Sequence, residues 1–153
     1  EEMGVEMEIG IDTITVEHND NLLPVDITTK PYPGFATDLQ QPLTALLTQI
    51  KGESRVVDTI YTERFKHCLE LQRMGADIDI DKGSSIIKGP SKLYGDKVYA
   101  TDLRCGACLV IAGLLAEGET EIHDIYHIDR GYYDIDEKIK KLGGDICREV
   151  VEK

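Results

Sequence analysis

Ala36-Thr37-Asp38-Leu39-Gln40 returns 64 residues later as Ala100-Thr101-Asp102-Leu103-Arg104, and the residues after each copy return with it. Lys51-Gly52-Glu53 answers to Glu117-Gly118-Glu119, and Asp58-Thr59-Ile60-Tyr61 to His123-Asp124-Ile125-Tyr126. Met74-Gly75-Ala76-Asp77-Ile78 answers to Leu142-Gly143-Gly144-Asp145-Ile146, by which point the offset has grown only to 68. A few single-residue insertions therefore relate two copies of one structural unit, with a period longer than the usual solenoid repeats. The first residues, Glu1 to Glu8, resemble the end of such a unit (73–79) without its beginning, and 23–27 matches 93–98. The expected partition is the tail of a preceding unit over 1–30, a second unit over 31–96 and a third over 97–153. Together these read as part of one domain of a longer protein.

Hydrophobic periodicity changes twice within each unit. After the Pro31-Tyr32-Pro33-Gly34 loop, Leu39, Leu43, Leu46, Leu47 and Ile50 share one helical face, with Thr37 or Asp38 as cap and Lys51-Gly52 as stop. A β-branched strand is expected over 54–60, and a second helix over 63–74 with Phe65, Leu69 and Met74 inward. Alternating strands come next over 76–81 and 85–88 around a Lys82-Gly83 turn, and a further strand over 97–100 leads into the next copy. The second copy's first helix, expected over 103–117, is apolar on every side from Ala107 to Leu115. A helix apolar all round has to be buried all round, so the fold class expected is α/β with helices inside and sheets outside, an inside-out barrel. Tyr133, Ile135, Ile139 and Leu142 mark an outer, more amphipathic helix.

The formal charge of -12 repels polyanions over most of the surface, so nucleic acid is not an expected partner. The longest apolar run, 106–116, is too short to span a bilayer, and no signal segment opens the chain; a soluble, cytoplasmic protein with no membrane partner is expected. Cys68, Cys105, Cys108 and Cys147 are scattered in a chain large enough to fold without staples, which fits reduced thiols. Cys105 and Cys108 have the spacing of a metal or redox motif, but a zinc site needs two more ligands nearby, so packing is the simpler expectation. No phosphate-binding, dinucleotide-binding or zinc-hydrolase motif occurs.

Three of the six arginines, Arg64, Arg104 and Arg130, fall at boundaries between elements, where guanidinium groups suit carboxylate or phosphate recognition. Salt bridging in an acidic protein would also account for them. Asp38 and Asp102 occupy the same repeat position at the start of the inner helices. There a carboxylate caps free N–H groups without any further role, and capping lowers its pKa, which disfavours a general base.

The segments 32–40, Thr101-Asp102-Leu103-Arg104, Ile111-Ala112-Gly113 with Ala116-Glu117-Gly118, and Ile125-Tyr126-His127-Ile128-Asp129-Arg130-Gly131-Tyr132 resemble the enolpyruvyl transferase family, specifically its UDP-N-acetylglucosamine 1-carboxyvinyltransferase branch. The resemblance runs through essentially the whole chain, and the His-Ile-Asp-Arg-Gly-Tyr segment separates it from the shikimate-pathway branch. It implies domains of three related α/β units and the reaction that opens peptidoglycan synthesis, on which cell-wall growth, shape and division depend. The enolpyruvyl group of phosphoenolpyruvate passes to the 3-hydroxyl of UDP-N-acetylglucosamine through a tetrahedral intermediate, releasing phosphate without a cofactor or metal. By resemblance, Asp38 meets the acceptor hydroxyl and takes its proton, and Asp102 is a second active-site acid. Ile60 contacts the UDP-sugar, and Arg130 meets phosphoenolpyruvate. Arg64, Leu103 and Arg104 are further substrate-binding positions around the cleft.

Departures from the family bound those expectations. Ala36 stands where proline is commoner, and Cys105 and Cys108 where alanine or serine is usual. The family's cysteine-bearing loop and its lysine near the N-terminus have no counterpart, so no cysteine here is assigned to catalysis and the chain is expected to be inactive without a missing N-terminal part. The alternatives are a non-catalytic UDP-sugar-binding or scaffold module, and an enolpyruvyl transferase with another acceptor.

Overall fold

Among residues 2–150, which the computed structural model describes, the periodic segments form eight short strands and five helices. Strands β1 (Met7–Ile9) and β2 (Ile14–Val16) make an antiparallel hairpin with Met7 opposite Val16. Strand β3 (Ile27–Thr28) leads into α1 (Thr37–Leu47), and the chain returns as β4 (Gly52–Val57), parallel to β3. After α2 (Lys66–Arg73), β5 (Asp77–Asp81) and β6 (Ser84–Gly89) complete a sheet of order β3-β4-β6-β5, with β6 antiparallel to both neighbours. Strand β7 (Lys97–Tyr99) then leads through α3 (Leu103–Leu115) to β8 (Glu121–His123), again a parallel pair. Two outer helices, α4 (Tyr126–Asp129) and α5 (Ile135–Lys141), complete the order of elements.

The repeat is therefore visible in three dimensions as the same strand-helix-parallel strand connection made twice. It extends to how helices stop. At the end of α2, Gly75 takes φ +104° while its N–H bonds to the Gln72 carbonyl and the Ala76 N–H to that of Leu71. At the end of α5, Gly143 takes φ +92° with the corresponding pair, Gly143 to Lys140 and Gly144 to Ile139. Only glycine enters this left-handed cap without a Cβ penalty, which is why Met-Gly and Leu-Gly recur at one offset.

Helix α3 lies at the centre. Residues 105–110 and Ala112 are buried on every side, α1 and α2 pack on its flanks, and the main core joins Leu47, Val56, Leu71, Ile87, Val98 and Leu109. The all-apolar helix is thus internal, as its composition requires. Its last turn departs from that pattern, because Leu114 and Leu115 stand exposed.

Helix α1 departs further. Its buried side carries Gln40, Gln41, Thr44, Ala45 and Leu47, whereas Leu39 is 56 % exposed. The threonines there find partners locally, Thr44 Oγ1 donating to the Gln40 carbonyl (2.9 Å) and Thr48 Oγ1 to that of Ala45 (2.7 Å), whereas the Oε1 atoms of Gln40 and Gln41 are buried with no hydrogen-bond partner among the described residues. The expected strand over 54–60 stops at Val57, and the second helix starts three residues later than expected, because 58–65 forms a tight turn. Leu69 faces outward there, and Cys68 and Leu71 fill the core instead.

None of the described helices is long and apolar enough to cross a membrane.

Candidate active site

Helices α1 and α3 start side by side, and their two repeated aspartates do different work. Asp102 caps α3: its Oδ1 accepts from the Arg104 N–H (2.8 Å) and the Cys105 N–H (3.1 Å), and its Oδ2 from Gln41 Nε2 (3.4 Å). Partial burial alone would raise the Asp102 pKa; these donors and the Arg104 charge outweigh it and hold the carboxyl below its usual value. Asp38 caps nothing. Helix α1 begins two repeat positions earlier, with Ala36 at its N-cap, so Asp38 falls inside the first turn. Its Oδ1 instead accepts from Arg104 Nε (2.5 Å) and lies 3.6 Å from Arg64 Nη1, while Oδ2 accepts no hydrogen bond among the described residues. The capping expectation thus holds for Asp102 and fails for Asp38.

The turn after β4 presents the rest. Asp58, buried at the end of the strand, accepts hydrogen bonds from the Ile60 and Tyr61 amides (2.9 and 2.8 Å), and so fixes Ile60 at the rim. Arg64 closes the turn with its guanidinium 4.0 Å from the centre of the Tyr61 ring, a cation–π contact. Between this turn and the start of α3 lies a cleft of about 480 Å³ bounded by Gln41, Ile60, Tyr61, Arg64, Thr101 and Asp102.

The structure therefore brings Asp38, Ile60, Arg64, Asp102 and Arg104 to one place. Leu103 opens α3 beside them, with its side chain against Gly131; a Cβ added there would sit 3.0 Å from Leu103 Cδ1. That packing brings Arg130 to the same end of α3. The Arg130 side chain is exposed and makes no hydrogen bond or ion pair among the described residues, and the residue follows the C-terminal end of α4 rather than adjoining a helix N-terminus.

Asp58, Thr37 and Gln41 were not legible as site residues. Asp58 answers to His123 in the repeat, and a lone aspartate after a strand has no pattern that distinguishes a buried anchor from a surface charge. Cys68, Cys105 and Cys108 are placed for packing, whereas Cys147 is exposed and does not share that role. Cys68 and Cys108 are fully buried, and burial pushes the Cys68 thiol up to about 12 and that of Cys108 well above its ordinary value. No group of three or more potential ligands is placed to hold a metal ion among the described residues.

The sequence pattern of the EPSP synthase family, described as 3-phosphoshikimate 1-carboxyvinyltransferase, matches residues 1–139. The chain belongs to the EPSP synthase family. Among the members of that family it resembles, the UDP-N-acetylglucosamine 1-carboxyvinyltransferase 2 of Listeria monocytogenes is 58 % identical over 147 residues, 96 % of this chain and 35 % of the relative. The protein of that name from Staphylococcus aureus is 56 % identical over 150 residues, 98 % of this chain and 36 % of the relative. The chain thus spans about a third of the length of these curated relatives. The crystal structure of the enolpyruvyl transferase NikO from Streptomyces tendae matches with a TM-score of 0.87 at 31 % identity, over 94 % of this chain and 34 % of NikO. An EPSP synthase from Acinetobacter baumannii shares the fold at 21 % identity, with a TM-score of 0.60 over 79 % of this chain and 30 % of the other. The enolpyruvyl transferase fold and the mixed α/β class expected from the repeat are both established by these matches.

Proposed function

We propose that this chain, divided into the tail of a preceding unit (1–30), a second unit (31–96) and a third (97–153), forms one wall of the substrate cleft of a UDP-N-acetylglucosamine 1-carboxyvinyltransferase and acts with the remainder of a longer protein. The observation that carries this reading is the meeting of Asp38 with Arg104 and Arg64 beside Asp102 and Ile60, in a chain 58 % identical to an enzyme of that name. Asp38 has one oxygen held by guanidinium and the other open, the arrangement needed to receive the proton of the 3-hydroxyl of UDP-N-acetylglucosamine as it adds to phosphoenolpyruvate. As the hydroxyl oxygen bonds to C2 of phosphoenolpyruvate it becomes oxonium-like and strongly acidic, its proton passing to Asp38, while an acid supplied by the remainder of the longer protein delivers the proton that C3 gains.

Asp102, committed at both oxygens to the α3 N-terminus and Gln41, is ionised and held still. Arg64, Arg104 and the exposed Arg130 supply positive charge for two anionic substrates, with Leu103 and Ile60 as apolar contacts. No cofactor takes part in this reading, the reaction feeds peptidoglycan synthesis, and the place of action is the cytoplasm.

The test is a full-length hybrid in which this chain replaces the matching stretch of the Listeria monocytogenes relative, assayed for phosphate release from phosphoenolpyruvate. The hybrid is expected to turn over only with UDP-N-acetylglucosamine present, and the 153-residue chain alone not at all. Asp38→Asn in the hybrid is expected to lower turnover about 100-fold or more. Its melting temperature should move little, because an ion pair at so exposed a carboxylate contributes at most about 1 kcal/mol. A hybrid that melts like the parent relative yet releases no phosphate overturns the reading.

A further inference from the structure

The unit over 31–96 ties a buried carboxylate to the cleft through a chain of hydrogen bonds that the unit over 97–153 does not make. Asp58 is 1 % exposed, and its carboxylate accepts from Thr29 Oγ1 (2.8 Å) and Thr37 Oγ1 (2.6 Å) as well as from the Ile60 and Tyr61 amides. Thr37 passes the connection on. With its proton committed to Asp58, its oxygen turns lone pairs outward and accepts from Arg64 Nη1 at 3.1 Å. Arg64 in turn faces Asp38, so an internal anchor fixes the guanidinium that lies beside the open carboxylate.

The unit over 97–153 is a control built into the chain. Thr101 and Arg130 repeat Thr37 and Arg64, and although His123 answers to Asp58 in the sequence repeat, the strand register places Asp124 after β8 as Asp58 stands after β4. Yet the Asp124 and Arg130 side chains are exposed and make no hydrogen bond or ion pair among the described residues. A strand-helix-strand turn of this kind therefore closes without the chain of bonds, and folding alone does not account for it in the unit over 31–96.

We propose that Thr37 and Asp58 are positioning residues for the Arg64–Asp38 pair. That role rests on the cleft being the substrate site of the proposed transferase. Asp58 also holds the turn that carries Ile60, so one buried carboxylate sets both the polar and the apolar side of the site. A guanidinium restrained at one N–H keeps its remaining donors aimed, which is the kind of pre-organisation that catalysis by orientation requires.

Thr37→Val removes the hydroxyl while keeping the shape, and Thr37→Ser restores the hydroxyl on a smaller side chain. In the 153-residue chain, solvent exchange of the Arg64 guanidinium protons followed by NMR is expected to quicken about fivefold or more in Thr37→Val and to stay near the parent value in Thr37→Ser. In the hybrid enzyme, kcat/KM for UDP-N-acetylglucosamine should fall about tenfold with Val and recover with Ser, both variants melting within a few degrees of the parent. The proposal fails if Val leaves either the exchange or kcat/KM unchanged, or if Ser is as impaired as Val. If the unsubstituted hybrid shows no turnover, the functional reading has failed on its own, and the exchange measurement still decides whether Thr37 holds Arg64.

Discussion

Burial holds the His67 imidazole down at a pKa of about 3 although the nearby charge of Asp102 favours its protonated form. In the unfolded chain the same ring titrates near 6.5. Below that pH the unfolded state gains a proton that the folded state refuses, so stability is fully present above about 6.5 and declines as pH falls towards about 3. Asp58 and Asp102 act lower on the scale. For Asp58, burial would raise the pKa, but the bonds from Thr37, the Tyr61 amide, Thr29 and the Ile60 amide outweigh it. The folded pKa of both carboxyls lies below the unfolded one, so their contribution is lost only as pH falls through the folded values, under about 4. The melting temperature of the parent should therefore begin to drop between about pH 7 and 5. In His67→Leu that early slope is expected to vanish while the loss under about pH 4 persists; an unchanged early slope counts against a neutral buried His67. None of this was legible in the sequence, where His67 is one unpaired histidine. The same holds for Asp38 and Asp102, which are identical by repeat and differ only because α1 begins two positions earlier than α3.

At the scale of elements, α3 carries two glycines with opposite expectations. A Cβ on Gly106 would meet Ile128 Cγ1 at 2.3 Å, because α4 packs directly on that turn of the helix. Gly106→Ala is expected to destabilise by about 1–3 kcal/mol through overpacking. At Gly113 the nearest atom, Thr120 Cβ, is 3.4 Å away, an ordinary contact. Gly113→Ala should therefore gain helix propensity, up to about 1 kcal/mol. Denaturant unfolding of the two variants checks both signs, and a Gly106→Ala that is neutral would mean α4 does not close on this turn of α3. The apolar composition of α3 announced a buried helix, but which glycine admits a methyl depends on Ile128, a neighbour distant in sequence. The leucines of α1 show the opposite limit: helical spacing found the helix, yet its polar face turned inward because α3 offered close packing to small side chains.

At the scale of the molecule, hairpin β1–β2 stands apart from the core. Its cross-strand pair Met7 and Val16 corresponds by repeat to Ile78 and Ile87, which are buried, whereas Met7, Ile9, Ile14 and Val16 are all 45 % or more exposed. Apolar positions patterned for a core and left in water drive association. The net charge of -12 opposes it. The chain on its own is therefore expected to self-associate more as salt rises, since about 0.1 M salt already shortens the reach of charge repulsion to roughly 10 Å. Sedimentation at two salt concentrations checks this, and Ile9→Lys should shift the equilibrium towards monomer. Association that weakens with salt would point to ion pairing instead.

The sequence by itself determined the repeat, the central all-apolar helix and the α/β class, because these follow from local periodicity and composition. It also determined the residue types gathered at the cleft, since resemblance carries identities position by position. Only the tertiary structure decided which aspartate caps a helix and which faces two guanidiniums. It alone shows that Asp58 is buried beneath the cleft, and that the Arg130 side chain is exposed with no hydrogen bond or ion pair among the described residues. Those outcomes depend on where one helix starts relative to another and on which side chain reaches a partner distant in sequence. The two copies share Ala-Thr-Asp-Leu, and the one residue by which they differ, Gln40 against Arg104, does not by itself say which helix starts earlier.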